Sequence, residues 1–499
     1  MAHTLDALAT RAQAAGAEVQ VEMQGTWRGE ISALTADSRE VTPGTLFAAL
    51  PGTQMDGAQF IPMAVERGAT AVLMSRDAAL PPDLPASIAV LRSPDPRAAL
   101  AFFSAAFFDR QPQTAVAVTG TNGKTSVASF VRQLWAREGR AAASLGTVGL
   151  VTPGGTDTSA HTTPEPVTLH RLLARVASEG VTHIALEASS HGLQQRRLDA
   201  VELAAAAFTN ISRDHLDYHP TFEDYFSQKL RLFTELLPPS GIAVVDADSP
   251  GLDAVRDAMR ERGVRTLTVG RAGGDITLAA THIDGLAQRL TFDAFGSRYD
   301  VHLPLVGGFQ ASNAMVAAAL AVASGSAAEQ VIPAIGALEG PRGRLEPVGR
   351  TVSGAGVFVD YAHTPDALRT AGGALRPFTT GRLIIVFGCG GDRDPGKRPQ
   401  MARAAADVAD HVIVTDDNPR SEDPASIRSA ALRGASEARE IAGRAEAIAA
   451  AVDAAQDGDI ILVAGKGHET GQEIAGEMHP FVDHDAIDAA IAGRHYSPS

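Results

Sequence analysis

The residues with the clearest chemistry are Thr119-Gly120-Thr121-Asn122-Gly123-Lys124-Thr125. An apolar run at 114–118 leads into them as a buried strand, and a helix-patterned segment at 126–138 leads out, with Gly139 placed to end it. Strand, glycine loop and helix make a phosphate cradle, because loop N–H groups and a helix N-terminus point at an anion. Lys124 would neutralise β/γ-phosphate charge and Thr125 would offer its hydroxyl to Mg²⁺. The strict pattern G-x-x-x-x-G-K-[ST] is not met, since Val118 stands where its first glycine belongs. A plain strand-to-helix turn is the competing reading. It ranks behind phosphate binding because the Gly-Lys-Thr end and the flanking elements both fit.

Glu187 follows an apolar strand at 182–186, and a strand-end carboxylate near a phosphate loop suits Mg²⁺ better than it suits a solvated surface. After the strand at 203–208 comes a polar run through Asn210, and its His215 is either a metal ligand or a structural histidine. Thr221 is placed to cap a helix with Asp224 at N3, and Phe222, Phe226 and Phe233 are expected on one face. Lys229 falls in the middle of that face. On the residues alone, the favoured reading is an aliphatic stem covered by phenylalanines with its ammonium reaching water. The alternative is a buried, neutral amine that adds CO₂, becoming a carbamate able to hold Mg²⁺. Further on, Arg393 and Arg420 offer planar forks for a carboxylate, and Asp417 and Glu469 could hold an ammonium, which together suit a zwitterionic amino acid.

These groups need a scaffold that brings strand ends together. The chain of 499 residues is too long for one core, and strands alternate with helices throughout. The expected fold is α/β in three domains. They are a smaller N-terminal α/β domain at 1–111, a central P-loop-type, mostly parallel sheet at 112–338, and a C-terminal Rossmann-like domain at 339–499. Helices are expected at 58–67 and 94–110, and the stretch after Asp246 reads as β-like through 276–303. Three polar loops, at 388–394, 416–420 and 465–469, follow apolar strands and should share one crevice. The formal charge of −15 argues against general binding to nucleic acid or an anionic membrane. The single cysteine, Cys389, excludes an intrachain disulfide. No apolar run is long enough to span a bilayer, so a cytoplasmic monomer without membrane insertion is expected.

Taken together, the motifs at 119–125, 208–219, 388–399, 417–420 and 464–469 resemble the Mur ligases of bacterial cell-wall synthesis, in consistent order along the chain. The resemblance implies ATP-dependent amide ligation with Mg²⁺. ATP would meet Gly120, Thr121, Asn122, Gly123, Lys124, Thr125, Asn313, Arg344, Asp360 and His363. Thr125, Glu187, His215 and Lys229 as N6-carboxylysine would hold metal, which reverses the reading of Lys229 drawn from the residues alone. The resemblance assigns Ser38, Thr162, Thr163, Ser189, Gln195 and Arg197 to a UDP-MurNAc-L-Ala-D-Glu acceptor. It assigns Arg393, Asp417, Asn418, Pro419, Arg420, Gly465 and Glu469 to meso-diaminopimelate. Asp-Asn-Pro-Arg is the form associated with diaminopimelate, whose distal carboxylate an arginine can clamp, rather than with lysine. His161 and Ala188 depart from the family's usual asparagine and valine. The rival readings are a lysine-adding ligase, a folylpolyglutamate synthase-like ligase and a P-loop switch without ligase activity.

Overall fold

The computed structural model describes residues 3–22, 29–52, 55–157, 162–212, 218–249 and 251–496. Both His161 and His215 lie outside the described residues. The chain forms two compact units, Met1–Asp275 with Val316–Gln330, and Ile276–Met315 with Val331–Ser499. It passes between them within the helices Gly308–Ala323 and Ala328–Ala334.

The first unit carries two sheets. In the N-terminal five-stranded sheet, Ala33–Thr35, Thr45–Ala49, Ala69–Ser75 and Ala89–Ser93 run parallel, and Gln20–Glu22 closes one edge antiparallel. The expected helix at 58–67 is a 3₁₀ turn, Gly57–Phe60, followed by a shorter α-helix, Ile61–Glu66. Pro62 explains the break: without an N–H it fits only the first turn of an α-helix. The expected helix at 94–110 is Pro96–Phe108, capped by Asp95.

In the larger sheet of this unit, Ala142–Gly146, His183–Glu187, Thr114–Thr119, Leu203–Phe208, Ile242–Asp246 and Arg265–Gly270 lie side by side and parallel. Beyond Asp246 the β-like reading is corrected, because a helix, Leu252–Glu261, precedes the next strand. Leu252, Val255 and Met259 recur at helical spacing among charged residues, and Val255 and Met259 are fully buried, so the helical period is present in the sequence.

In the second unit an antiparallel meander, Ile276–Asp284, Ala287–Ala294 and Ser297–Leu303, precedes a six-stranded sheet. That sheet is ordered Glu346–Arg350, Gly356–Asp360, Ile460–Ala464, Leu383–Cys389, His411–Asp416 and Arg439–Glu440, parallel except at its first edge. Apolar clusters cover both faces, as a parallel sheet requires. The last-formed strand, Ile460–Ala464, inserts between two earlier ones, and ligand crevices form at the carboxyl ends beside such a switch point. Among the described residues no helix is long and apolar enough to cross a membrane.

Beneath that edge lies a fully buried ion pair. Arg444 Nε and Nη2 each donate to Asp483 at 2.7 Å, and Nη2 also donates to the Ala464 carbonyl at 3.0 Å. This guanidinium therefore fixes the end of the strand that leads into the 465–469 loop. Arg444→Met leaves the Asp483 carboxylate buried without its cation and should destabilise the fold by about 3–5 kcal/mol. Denaturant titration checks this, as a lowered midpoint with an unchanged slope.

Candidate active site

The phosphate loop is assembled by strand register. Val118 pairs with Glu187 on one neighbouring strand, and Thr119 pairs with Phe208 on the other. Three parallel strands thus end at one level, and their next residues must meet. Thr209 Oγ1 donates to the Asn122 carbonyl at 2.6 Å, Asn122 N donates to Asn210 Oδ1 at 2.9 Å, and Thr121 N donates to the Asn210 carbonyl at 2.8 Å. Gly120 has φ 144°, and a Cβ there would lie 2.0 Å from Thr209 Oγ1, so no other residue fits. Gly123, at φ 87°, opens the helix Lys124–Arg137, which begins two residues earlier than its apolar pattern implied. Lys124 and Thr125 occupy the helix's first turn and address the loop. Lys124 Nζ donates to the carbonyls of Gly120 and Thr121, both at 2.8 Å.

Lys229 does not reach water. It is 1% exposed, and its Nζ donates to the same Gly120 carbonyl at 2.8 Å while lying 4.5 Å from the centre of the Tyr225 ring. The solvent-reaching reading is therefore overturned. The expected phenylalanine face holds in part: Phe226 and Phe233 both pack edge-on to Phe208, whereas Phe222 is exposed, and the buried residues of the helix Phe222–Arg231 are Tyr225, Lys229 and Arg231. A π-helical turn, Leu232–Leu236, follows and shifts the register that placed Phe233 with Phe222. Tyr225 Oη lies 3.0 Å from Thr121 Oγ1, which ties this helix to the phosphate loop a second time. Thr221 caps the helix as expected, yet the Asp224 carboxylate turns to His219 Nδ1 at 2.9 Å rather than completing a capping box.

Glu187 is 2% exposed and accepts from Thr125 Oγ1 at 3.1 Å, from Thr147 N at 2.8 Å and from Thr147 Oγ1 at 3.2 Å. Thr125 and Glu187 fit Mg²⁺, which binds hydroxyl, carboxylate and phosphate oxygens together. No group of three His, Cys, Asp or Glu side chains forms a metal cage among the described residues. From Glu187 a polar chain runs outward. Thr147 Oγ1 lies 3.1 Å from Thr162 Oγ1, and Thr163 Oγ1 donates to the Glu187 carbonyl at 2.8 Å and lies 3.0 Å from Ser189 Oγ. Arg197 Nη1 donates to the Thr163 carbonyl at 2.7 Å, and its Nη2 donates to Gln195 Oε1 at 2.8 Å. Five expected acceptor residues thus form one network.

Gln195 and Arg197 also line a cleft of about 290 Å³ with Ala36, Leu50, Arg97, Leu100, Glu165 and Pro166. Ser38 sits nearby in the chain, buried in a 3₁₀ turn capped by Asp37. Burial lowers the Arg197 guanidinium from its usual range, with Arg97 acting in the same direction. Arg97 carried no sequence signal, because it reads as an ordinary residue in the first turn of a helix.

In the second unit the three loops converge. Asn418 Nδ2 donates to Glu469 Oε2 at 3.0 Å, Arg420 Nη1 donates to the Gly391 carbonyl at 2.8 Å, and a Cβ on Gly465 would lie 2.5 Å from Asp417 Oδ2. Asp417, Asn418 and Pro419 are buried, and Arg393 is exposed at the rim. Arg420 adopts φ 52°, in the left-handed region, and is gripped by the neighbouring hairpin: its N donates to the Glu473 carbonyl at 2.9 Å and its Nε pairs with the Glu473 carboxylate at 3.2 Å. The hairpin, Gly471–Ile474 with Glu477–Pro480, and the buried Lys466 were both missed, since neither carries an apolar period.

Beside them, Arg344 stacks 5.0 Å from the centre of the Tyr361 ring, Leu345 N donates to Asp360 Oδ2 at 2.7 Å, and the exposed His363 takes its Nδ1 contact from the Tyr361 carbonyl at 2.8 Å. Burial raises the Asp360 carboxyl above its usual range, and Arg344 opposes that. Asn313 is buried and donates to Gln310 Oε1 at 3.2 Å.

The Glu187 carboxylate has room only because residue 146 is glycine: a Cβ there would lie 1.9 Å from Glu187 Oε1. Gly146→Ala should displace the carboxylate and lower ATP turnover about 10²-fold, as misplacements near 1 Å do. Steady-state kinetics on a variant with an unchanged circular dichroism spectrum check it.

Three family models match the chain in order: "Mur ligase family, catalytic domain" at residues 30–108, "Mur ligase middle domain" at 118–321 and "Mur ligase, glutamate ligase domain" at 343–467. UDP-N-acetylmuramoyl-L-alanyl-D-glutamate–2,6-diaminopimelate ligase of Bradyrhizobium diazoefficiens is 52% identical over 93% of this chain and 96% of its own. A solved structure of a ligase of that name is 33% identical, with a TM-score of 0.71 over 95% of this chain and 98% of its own. Folylpolyglutamate synthase of Mycobacterium tuberculosis, 22% identical with a TM-score of 0.59 over 74% of this chain and 92% of its own, shares the fold. Matched in order by three Mur ligase models and by a relative 52% identical along nearly its whole length, the chain belongs to the Mur ligase family.

Proposed function

We propose that this chain is an ATP-dependent amide ligase of cytoplasmic peptidoglycan precursor synthesis, joining meso-2,6-diaminopimelate to the D-Glu γ-carboxylate of UDP-MurNAc-L-Ala-D-Glu. The observation that carries the reading is the convergence of Asp417, Asn418, Arg420 and Glu469 in one crevice. It matches a zwitterion with a further carboxylate, in a chain half identical to ligases named for that substrate. Domains at 1–111, 112–338 and 339–499 would contribute the acceptor, ATP and amine sites respectively.

Gly120 to Thr125 would hold the β- and γ-phosphates, with Lys124 swinging from the loop carbonyls to the γ-phosphate. Asn313, Arg344, Asp360 and His363 would also meet the nucleotide. The acceptor would lie along Ser38, Thr162, Thr163, Ser189, Gln195 and Arg197, which leads its carboxylate toward Glu187. A carboxylate oxygen attacks the γ-phosphorus, ADP leaves and an acyl phosphate forms. The free amine of diaminopimelate then attacks the acyl carbon, and phosphate departs. Positioning and charge neutralisation suffice, and no side-chain nucleophile takes part. Thr125, Glu187, His215 and a carbamylated Lys229 would hold Mg²⁺, which supplies charge neutralisation at the transferring phosphoryl group. The burial of Lys229 at the phosphate loop, where its Nζ meets the Gly120 carbonyl, supports a role for it in this site. Arg393 and Arg420 would take the distal carboxylate, Asp417 and Glu469 the ammonium, and Asn418, Pro419 and Gly465 the remaining wall.

Purified protein with ATP, Mg²⁺ and the UDP-linked acceptor should release phosphate on addition of meso-diaminopimelate and far more slowly with L-lysine. No amine-dependent release would end this reading, and equal rates would favour the lysine-adding reaction. Arg420→Ala should reduce the preference for diaminopimelate about a hundredfold, as expected for loss of a charge-assisted pair. For Lys229, ¹³CO₂ should yield a carbamate carbonyl resonance in the wild type that is absent from Lys229→Ala, and its absence from both would refute the modification.

A further inference from the structure

Lys466 is a lysine with no exposure, at the start of the loop that follows Ile460–Ala464. Its ammonium is engaged inside the protein. It donates to Glu469 Oε2 at 3.1 Å and to the Gly471 carbonyl. Asn418 Nδ2 donates to the same Glu469 oxygen at 3.0 Å, and Asn418 Oδ1 in turn accepts from Glu473 N at 3.0 Å. Among the described residues, Glu469 Oε1 receives no hydrogen bond, while the side chain keeps 33% of its exposure.

The backbone of the loop is held, with Gly465 N donating to the Asp360 carbonyl at 3.1 Å and Glu469 N to the Lys466 carbonyl at 3.0 Å, but the long Glu469 side chain needs its own anchor. Gly465 and Gly467 both adopt positive φ, at 115° and 56°, and Glu469 follows within two residues. A glutamate on such a loop would sample several rotamers, at a cost in binding each time a ligand froze it. Two donors converging on Oε2 remove that freedom. They leave one carboxylate oxygen saturated and the other presented to the crevice, which is the arrangement a single incoming ammonium needs.

We propose that Lys466 is a positioning residue for the amino-acid substrate: it locks Glu469 so that Oε1 receives the substrate's non-reacting ammonium. The inference rests on the functional reading above. Lys466 is buried behind Glu469, to which it donates, while a second contact holds Gly471. The part of its effect that passes through Glu469 is specific to ligands bearing that ammonium.

The test compares KM for meso-diaminopimelate with KM for 2-aminopimelate presented through its single amine, in the wild type and in Lys466→Met. In the wild type the analogue should have a KM at least tenfold higher. In Lys466→Met the KM for diaminopimelate should rise about tenfold, the KM for ATP should stay within twofold, and the analogue's disadvantage should shrink toward one. In a Glu469→Gln background, Lys466→Met should then have little further effect. Lys466→Gln, which keeps a donor for Gly471, serves the same comparison if the methionine variant fails to fold. An unchanged KM ratio between the two amines, a parallel loss of ATP binding, or additive effects in the Glu469→Gln background would reduce Lys466 to a structural lysine and overturn the proposal. Absence of ligation in the wild type would instead refute the functional reading on which it rests.

Discussion

One carbonyl oxygen organises the nucleotide half of this molecule. The Gly120 carbonyl accepts hydrogen bonds from two lysines, Lys124 from the loop's own helix and Lys229 from a helix more than a hundred residues later, each at 2.8 Å. It can do so only because Gly120 takes a backbone conformation closed to other residues and packs against Thr209 with no room for a Cβ. The shared acceptor couples the phosphate loop to the helix Phe222–Arg231. It also brings the two amines to one oxygen, one of them almost wholly buried.

Strand register supplies the rest of that half. Glu187 stands opposite Val118 and Phe208 opposite Thr119, so the groups after each strand meet without any long-range search by loops. Gly146 clears space for the glutamate, and Thr147 then fills two of its acceptor positions. The second unit repeats the logic with a different outcome. There an inserted strand, Ile460–Ala464, is anchored from beneath by Arg444 and Asp483, and its loop presents carboxylates and amides rather than a phosphate cradle. One architecture, parallel strands ending in glycine loops, therefore builds a phosphate-type cradle in one place and a crevice of carboxylates and amides in another.

Much of this was legible in the residues. Apolar runs of five or six residues marked the buried strands within a residue or two, because a strand covered on both faces must be apolar throughout. The three crevice loops could be grouped because each follows such a strand. What escaped detection had a physical reason. Lys229 looked like a solvent-reaching lysine, because local pattern cannot tell whether a third element covers an ammonium. Its partner, the Gly120 carbonyl, is a backbone atom without a sequence signature. The helix Leu252–Glu261, by contrast, carries a legible helical period, and the 58–67 helix was shortened by Pro62. Lys466, Arg97 and the 471–480 hairpin were invisible for a related reason: their roles depend on tertiary neighbours rather than on period or motif.

The central claim is that the acceptor carboxylate is phosphorylated before the amine attacks. The most direct measurement uses UDP-MurNAc-L-Ala-D-Glu labelled with ¹⁸O in the D-Glu γ-carboxylate, with mass analysis of the phosphate released during turnover with ATP and meso-diaminopimelate. An acyl phosphate transfers one labelled oxygen to each phosphate formed. Phosphate carrying no label above background would contradict the account.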